Sequence, residues 1–345
     1  MSAHLTFRIF DEATDLLRVA AFYNDVFAPL RPIYSWPLAP ERFRDKVLQH
    51  WEYRPEGCWL ACEGEQLVGL VLASCRKIAL LESDRSHVAP PVAYLSVVAV
   101  APSHRRRGIG RALIAKAEEF ARGHGCRMIT PTANPSAPMA FFISPQGDWT
   151  EAAAFFPALG YQPAGMQQNL MRCLVGFDID ARVRRRMAEL EAQGYECRPY
   201  REEEHDSLLA LQNWPYWVLD LESKLGRWTR TRPFIETCFL NCATEDIAGP
   251  DEIGVVVKDG QVLAFCAQTL NRHTGWAYLG PAMAREDMRN LGLASVALQI
   301  SLQQVARKGA CMCDLWTDLD DHHTHFYTRN GFQRVMTWQR YEKEL

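Results

Sequence analysis

The sequence predicts an α/β protein of the α+β kind, in which two related units each carry a mixed sheet. Three observations lead to this prediction. The chain has 345 residues, which is too long for one ordinary hydrophobic core. Apolar strand-like segments alternate with helical patterns and tight hairpin turns. The same blocks also occur twice in the same order, which indicates a duplicated unit.

The first pair of blocks shows how each unit begins. Residues 7–22 and 197–212 both read as a short strand, an acidic turn and the start of a helix. Acidic residues at a helix start cap its free amide groups and complement its positive end. We therefore expect Asp11 or Asp15 to cap the first helix.

The second pair of blocks predicts hairpins. Residues 58–74 and 254–270 each contain two apolar runs around a short polar turn. In the second copy this turn contains Asp259-Gly260, a dipeptide typical of hairpins.

The last two pairs of blocks complete each unit. Residues 93–113 and 277–297 align without a gap, each as an apolar strand that leads into a helix. Pro281 lies within the second of these strands and lacks an amide hydrogen, so it predicts an edge or a bulge there. Residues 155–165 and 326–336 form the final matched pair.

The matched blocks predict where the units begin and end. We expect an N-terminal domain at residues 1–175, a linker helix at 176–193 and a C-terminal domain at 194–345. Gly194 is a plausible end for the linker helix. The first unit has an extra loop rich in proline and turn-forming residues at 131–149.

The composition excludes several classes of protein. Hydrophobic residues make up 48% and charged residues 23%, and the net charge of −3 argues against a protein that mainly binds nucleic acid. No apolar run reaches the length of a membrane helix and no signal peptide is visible, so we expect a cytoplasmic protein. The eleven cysteines include no CxxC pair, which indicates reduced core thiols rather than disulfides or a zinc site.

A run of charge and glycine interrupts the block at 93–113. Arg105, Gly108 and Gly110 lie between a strand and a helix. Amide groups at a helix start are unpaired and partly positive, and glycines let a ligand approach them, so this arrangement suits a phosphate group. A dinucleotide fold would need a glycine where Leu113 stands, and a Walker loop would need a lysine that is absent. From these residues alone, a tight turn with solvated arginines is an equal alternative.

The order of the blocks and this loop resemble the GNAT superfamily of N-acetyltransferases. In that family an apolar strand runs into [Q/R]-x-x-G-x-[G/A], whose amides hold the pyrophosphate of acetyl-CoA while the strand edge holds its pantetheine arm. The resemblance implies two tandem folds, each with a sheet that is split between its fourth and fifth strands. In the first unit it implies a cofactor-binding set of Val98, Ala99, Val100, Arg105, Arg106, Arg107, Gly108, Ile109, Gly110 and Arg111.

The second unit carries a plainer copy of the motif, with alanine at its last position. The corresponding set is Ala282, Met283, Ala284, Arg289, Asn290, Leu291, Gly292, Leu293, Ala294 and Ser295. As a pair, the units resemble in arrangement those of the mycothiol synthases, whose C-terminal half is the active one.

The resemblance also implies a catalytic residue. In the family, a tyrosine four residues before a Gly-Phe pair protonates the leaving thiolate. Tyr327 stands at this position in the second unit, whereas the first unit has Phe156, which has no proton to give. We therefore expect the C-terminal unit to be catalytic, with Tyr327 as general acid; the alternative is that Tyr327 is a packed aromatic residue. A family asparagine seven residues earlier is replaced by Asp320 and Trp149.

Tyr327 ends a run of aspartates and histidines at 314–327. The crowded spacing matches no clear metal motif, so we expect a polar loop and helix start without a metal. Asp314, Asp318 and His322 are candidates for binding a cationic amine or removing its proton, and the sequence does not choose between them.

Aromatic residues at 213–228 and 29–37 either line an acceptor pocket or pack in a core. The candidates for a pocket wall are Trp214, Tyr216 and Trp217.

Together these observations predict an acetyl-CoA-dependent N-acetyltransferase that acts on a primary amine of a small molecule or peptide. The alternative is a sensor that binds acyl-CoA without turnover, which Phe156 in the unit with the richer loop supports. Nucleic-acid binding through the arginines at 105–107 and 182–186 is the weakest hypothesis, because arginines on a helix usually form a solvated face.

Overall fold

The chain folds into two compact units. The computed structural model describes residues 4–28, 38–49, 53–76, 92–131, 154–212, 252–271, 275–319 and 321–345. Of these, the first unit contains the residues up to 166 together with 338–345, and the second contains 167–337. The predicted class, a mixed α/β fold that occurs twice, is confirmed.

The first unit is a mixed sheet with helices packed against it. Its elements are β1 (Leu5–Ile9), α1 (Glu12–Phe27), α2 (Pro40–Phe43), β2 (Cys58–Glu63), β3 (Gln66–Arg76), β4 (Val92–Val100), α3 (Ile109–Gly123) and β5 (Met128–Thr130). The strand order is β1-β2-β3-β4-β5-β12, where β12 (Gln333–Glu344) is the last strand of the chain. Strands β4 and β5 are parallel, and the other described pairs are antiparallel.

The second unit repeats this plan. Its elements are β6 (Gln162–Cys173), α4 (Ala181–Glu191), β7 (Glu196–Pro199), α5 (His205–Gln212), β8 (Gly254–Lys258), β9 (Gln261–Asn271), β10 (Trp276–Ala284), α6 (Leu293–Arg307), β11 (Met312–Asp318) and α7 (Asp321–Arg329). The strand order is β6-β11-β10-β9-β8-β7, and β10 and β11 are the parallel pair. None of the helices in the described ranges is long and apolar enough to cross a membrane.

The two repeats exchange their final strands. Residues 167–173 of β6 belong to the second unit, where they pair with β11, and residues 338–344 of β12 belong to the first unit, where they pair with β5. The predicted domain boundaries at 175 and 194 follow the repeats of the sequence. The compact units differ from them because each sheet is closed by a strand from the other repeat.

Local structure agrees with the sequence signals. Asp11 caps α1 by accepting a hydrogen bond from the amide of Ala13. Asp259 and Gly260 have φ angles of 51° and 73°, as expected for a two-residue hairpin turn between β8 and β9. Helix α4 lies within the segment predicted as a linker helix at 176–193, and Gly194 follows it with a φ of 83°.

A bulge interrupts the fourth strand of each unit. In β4 the extra residue is Ser96, where the register with β3 shifts. In β10 the register with β9 shifts between Leu279 and Ala282, and this stretch contains Pro281. The prediction of a bulge at Pro281 is therefore confirmed. A bulge bends its strand, which places it well for opening a gap in a sheet.

Candidate active site

Each sheet splits where its two parallel strands stop pairing. In the second unit, β10 and β11 pair over Trp276–Tyr278, and β11 then continues to Asp318 along β6 alone. In the first unit, β4 pairs with β5 from Val92 to Tyr94. Beyond these points, the inner edges of β4 and β10 have no strand partner among the described residues. These edges are therefore candidates for backbone hydrogen bonds to a ligand, although the carbonyl of Val100 already accepts a hydrogen bond from Arg105.

The loops that follow β4 and β10 have the same backbone conformation. The φ angle is 63° at both Arg106 and Asn290, and it is 83° at Gly108 and 81° at Gly292. Glycine and asparagine tolerate this left-handed region, but arginine adopts it at a cost. Because both loops keep this path despite different side chains, the backbone itself is the candidate functional element.

The helices after these loops begin with free amide groups. An α-helix bonds each N–H to the carbonyl four residues earlier, so its first amides have no partner within the helix. The first such bonds of α3 and α6 are donated by Ala112 and Val296. No side chain among the described residues caps either helix. The amides of 109–111 and 293–295 therefore have the arrangement that binds phosphate oxygens.

Hydrophobic anchors hold both loops in place. Ile109 and Leu293 are each 1% exposed, and each belongs to the core beneath its own helix. Their side chains are therefore committed to packing, and any contribution to a coenzyme site comes from the backbone.

The first loop carries more charge, and part of that charge is paired. Arg107 donates to Glu63 at 2.5 Å, and Nε2 of His104 lies 3.0 Å from the same carboxylate. Hydrogen bonds from Arg107 and His104 lower the pKa of Glu63. Arg105 donates from Nε to the carbonyl of Val100 at 3.2 Å. Two of the predicted phosphate-binding arginines are thus held against the rest of the unit.

The second loop gains a cation from the linker helix. Nε of Arg186 on α4 donates to the carbonyl of Leu291 at 2.7 Å. A Cβ added to Gly292 would lie 3.4 Å from Cγ of Arg186, whereas a Cβ added to Gly108 would meet no described atom within 4 Å. The sequence predicts a solvated face for the arginines of the linker helix, and Arg186 departs from this prediction because α4 packs on α6.

The aromatic residue near the end of each unit differs in character. Tyr327 on α7 is half-buried and packs edge-on against Phe332, with ring centroids 5.8 Å apart. Phe156 is 1% exposed and packs against Tyr161 and Tyr341 at 5.3 and 6.1 Å. Phe156 is thus enclosed in an aromatic cluster, while Tyr327 keeps part of its surface exposed.

A buried polar network fixes α7 to α6. Asn330 is fully buried and donates from Nδ2 to Ser295 Oγ at 3.0 Å and to the carbonyl of Phe326 at 2.8 Å. Gln299 donates to Oδ1 of Asn330 at 3.3 Å, and Arg172 on β6 donates to its carbonyl. Ser295, predicted as a coenzyme contact, therefore also anchors the helix that carries the phenol.

Asp314 lies at the point where the second sheet opens. It is 7% exposed and accepts hydrogen bonds from Nε1 of Trp276 at 3.0 Å and Nδ2 of Asn169 at 3.1 Å. Burial raises the pKa of Asp314 to about 6, although its hydrogen bonds act in the opposite direction. His322, another candidate for the base, is exposed, in contrast to the buried Asp314. Thr130 ends the corresponding ladder in the first unit.

The remaining candidates give no further grouping. His322, His323 and His325 are exposed. The described ranges contain no group of three or more His, Cys, Asp or Glu residues with the geometry to hold a metal. Outside the described residues lie Asp320, Trp149, Trp214, Tyr216, Trp217 and the segment 29–37.

Four residues that shape this site carry no signal of that role in the sequence. They are Asn169, Arg186, Trp276 and Asn330. Each of them contacts a group 35 or more residues away in the chain, so periodicity carries no signal for these contacts. Asn169 reaches Asp314 through strand exchange, which the repeat pattern does not reveal.

Sheets that split between their fourth and fifth strands, beside a glycine-bearing helix start, define the class of GNAT acyl-CoA N-acyltransferase folds, here in tandem. The sequence profile of the acetyltransferase (GNAT) family matches residues 20–142 and 199–332. The chain belongs to this family. No curated protein matches the chain in sequence.

Solved structures support the tandem fold. A glucosamine N-acetyltransferase region of a fungal multi-domain GH3 β-N-acetylglucosaminidase matches with a TM-score of 0.71 and 15% identity, over 99% of this chain and 38% of that one. A tandem GNAT protein from the clavulanic acid biosynthesis pathway matches with a TM-score of 0.64 and 17% identity, over 99% and 98% of the two chains. A GCN5-related N-acetyltransferase from Sphaerobacter thermophilus matches with a TM-score of 0.58 and 14% identity, over 99% and 95%.

Proposed function

We propose that this protein transfers the acetyl group of acetyl-CoA to a primary amine, and that the second unit carries the chemistry. One observation carries the assignment to that unit. Tyr327 supplies a phenol on α7, whereas the matching Phe156 of the first unit is an apolar residue buried in an aromatic cluster.

Both units have the features that a coenzyme would need. The amides of 109–111 and 293–295, which have no partner within their helices, would hold the pyrophosphate, and the edges of β4 and β10 that lack a described strand partner would bind the pantetheine arm. Two buried polar atoms near the splits also lack partners within the described ranges: Oγ of Ser96, in the bulge of β4, and Oδ1 of Asn169, beside the opening in the second unit. Orphaned polar atoms of this kind fit sites that a bound molecule completes.

The chemistry asks for an acid at the leaving group. When an amine attacks the thioester carbon, the C–S bond breaks and its electron pair leaves on sulfur. A phenol near that sulfur donates a hydrogen bond and then a proton, which lowers the barrier to departure. We assign this role to Tyr327, because the network around Asn330 holds its helix in place. The first unit then binds acetyl-CoA without taking part in catalysis.

The experiment pairs coenzyme binding with turnover. Acetyl-CoA is titrated by calorimetry, and thiol release is followed over a panel containing an amino sugar, an amino acid, a polyamine and a peptide amine. We expect Tyr327→Phe to bind acetyl-CoA within twofold of the wild-type affinity and to lower kcat by about 100-fold, the usual range for loss of a general acid.

The matched control is Tyr195→Phe, which makes the same change in the same unit at a ring that packs under Lys258. It should leave kcat unchanged. An unchanged kcat in Tyr327→Phe would remove the phenol from the mechanism. Tight acetyl-CoA binding without thiol release for any amine would favour the second candidate function, a non-catalytic acyl-CoA sensor, which the apolar setting of Phe156 supports.

A further inference from the structure

Asp314 faces the side of the sheet away from α6. Side chains alternate along a strand, and its neighbours Cys313 and Leu315 both lie in the core beneath α6. Asp314 therefore points to the opposite face of the sheet. Tyr327, by contrast, packs against the same core as Cys313 and Leu315, beneath α6. In the second unit, the carboxylate of Asp314 and the phenol of Tyr327 thus lie on opposite faces of the sheet that splits between β10 and β11.

The carboxylate is held by neutral donors. Trp276 and Asn169 each bond one of its oxygens, and the side chain of Trp316 also hydrogen-bonds to it. Among the described residues, the titratable groups next to Asp314 along its strand and in register are the buried thiol of Cys313 and the phenol of Tyr278 on β10. The nearest cation along the neighbouring strand is Arg172, which pairs with Cys313 in register and bonds Asp180 at 3.0 Å.

No cation therefore neutralises Asp314 among the groups described around it, and burial keeps its pKa near 6. A carboxylate in this setting exchanges a proton near neutral pH.

Asn169 adds an empty acceptor beside this carboxylate. It is 1% exposed, and its Nδ2 donates both to Asp314 and to the carbonyl of Leu315 at 3.1 Å. Its Oδ1 accepts no hydrogen bond from the described part of the chain. A buried acceptor without a donor is costly, so this atom calls for a donor that the protein does not itself provide. A primary ammonium has three N–H groups, enough to satisfy both side chains at once.

The first unit lacks this pair. At the corresponding end of the ladder, Thr130 donates from Oγ1 to the carbonyl of Tyr341 at 2.9 Å. The proton of that hydroxyl is engaged in this hydrogen bond, and a threonine hydroxyl does not act as a base near neutral pH. The arrangement is therefore specific to the unit with the phenol.

Resting on the proposed function, we infer that Asp314 and Asn169 bind the acceptor as a cationic primary amine and that Asp314 removes the proton that blocks its attack. The ammonium nitrogen gives one proton to Asp314, and its freed lone pair forms the N–C bond to the thioester carbon. The C–S bond breaks, and the thiolate takes the proton of Tyr327. The second proton lost from nitrogen restores the phenol, and Asp314 releases its proton to solvent, so the products are the amide, CoA thiol and one proton.

The test follows the pH dependence of kcat/KM for the best amine of the panel at saturating acetyl-CoA. A base works when it is deprotonated, so wild-type activity should fall as the pH drops through about 6. We expect Asp314→Asn to lower kcat/KM by about 100-fold and to abolish this limb, with acetyl-CoA affinity unchanged. Asn169→Ser should mainly raise the KM for the amine. Asp287→Asn, which removes an exposed partner of Arg285, is the control and should change neither.

A second measurement needs no acceptor. Because two indole rings bond Asp314, the tryptophan fluorescence of the wild type should show a step near pH 6 that Asp314→Asn lacks. Wild-type turnover with an unchanged profile in Asp314→Asn would overturn the role of Asp314 and leave Tyr327 in place. Loss of the pH limb in Asp287→Asn would also overturn it. Failure of every amine to release thiol from the wild type would instead overturn the proposed function, and this inference with it.

Discussion

The second unit opens its sheet beside a buried carboxylate and a phenol, whereas the first surrounds the same backbone with a threonine and a phenylalanine. These pairs are Asp314 with Tyr327, and Thr130 with Phe156. The loops before α3 and α6 nonetheless share their φ angles to within about two degrees. The backbone conformation suited to phosphate thus persists when side chains diverge, whereas the proposed proton transfer depends on a few side chains that one substitution removes.

The two units also hold this region differently. In the second, amide and guanidinium groups around Asn330 tie α7 to α6. In the first, the rings of Phe156, Tyr161 and Tyr341 pack together. Hydrogen bonds fix distances and angles more narrowly than ring packing does. The directional network therefore occurs in the unit to which we assign the catalytic phenol.

The largest expected effect separates the two loops. Gly108→Val and Gly292→Val each force a β-branched residue into a φ of 83° or 81°, which should distort the amide cradle of that loop alone. We expect Gly292→Val to lower kcat/KM by roughly 100-fold and Gly108→Val by less than twofold. Each variant should remove one acetyl-CoA site from the calorimetric stoichiometry. If Gly108→Val abolishes turnover, the chemistry belongs to the first unit.

A moderate effect is expected where the network is cut. Asn330→Leu introduces the residue type found at the aligned Leu159 and removes the bonds to Ser295 and Phe326. Since buried partners are left unsatisfied, the free energy of unfolding should fall by about 2 kcal/mol, measured by urea denaturation followed by circular dichroism. Turnover should fall more than acetyl-CoA affinity. A variant that unfolds like wild type would show that ring packing alone holds α7.

The smallest effect comes from exchanging the last motif position. In the first loop a Cβ on Gly110 would lie 3.2 Å from the ring of Phe155, whereas the second loop has Ala294. Gly110→Ala should therefore require a small ring shift, with a stability change of about 0.5 kcal/mol and an affinity loss at the first site of less than threefold. Thermal melting and calorimetry measure both. A loss above tenfold would mean that the coenzyme needs the bare backbone there.

The sequence predicted the fold well because its strongest signals are local. Hairpin turns, helix caps and the bulge at Pro281 depend on residues next to one another, and the duplication doubled each signal. The glycine loop was also local, so its place between strand and helix followed from spacing.

The side-chain constellation was harder to predict, because its contacts are distant in sequence. Asn169 bonds Asp314 from 145 residues away, and Arg186 reaches Leu291 over 105 residues. A protonation equilibrium set by burial has no sequence pattern either. The run at 314–327 supplied Asp314 as one of three candidates, and packing distinguishes it from the exposed His322.

The exchange of the final strands between the repeats has a consequence for folding during synthesis. The hydroxyl of Thr130 bonds the carbonyl of Tyr341, which is synthesised 211 residues later. Strand β5 likewise pairs with Lys343 and Glu344. On the ribosome, the first half of the chain must therefore keep the unpaired edge of β5 exposed until residues 343–344 have been synthesised. A truncation after residue 175 would leave the edge of β5 without its partner strand. Either half expressed alone should therefore aggregate, and mixing the two halves should restore folding of both.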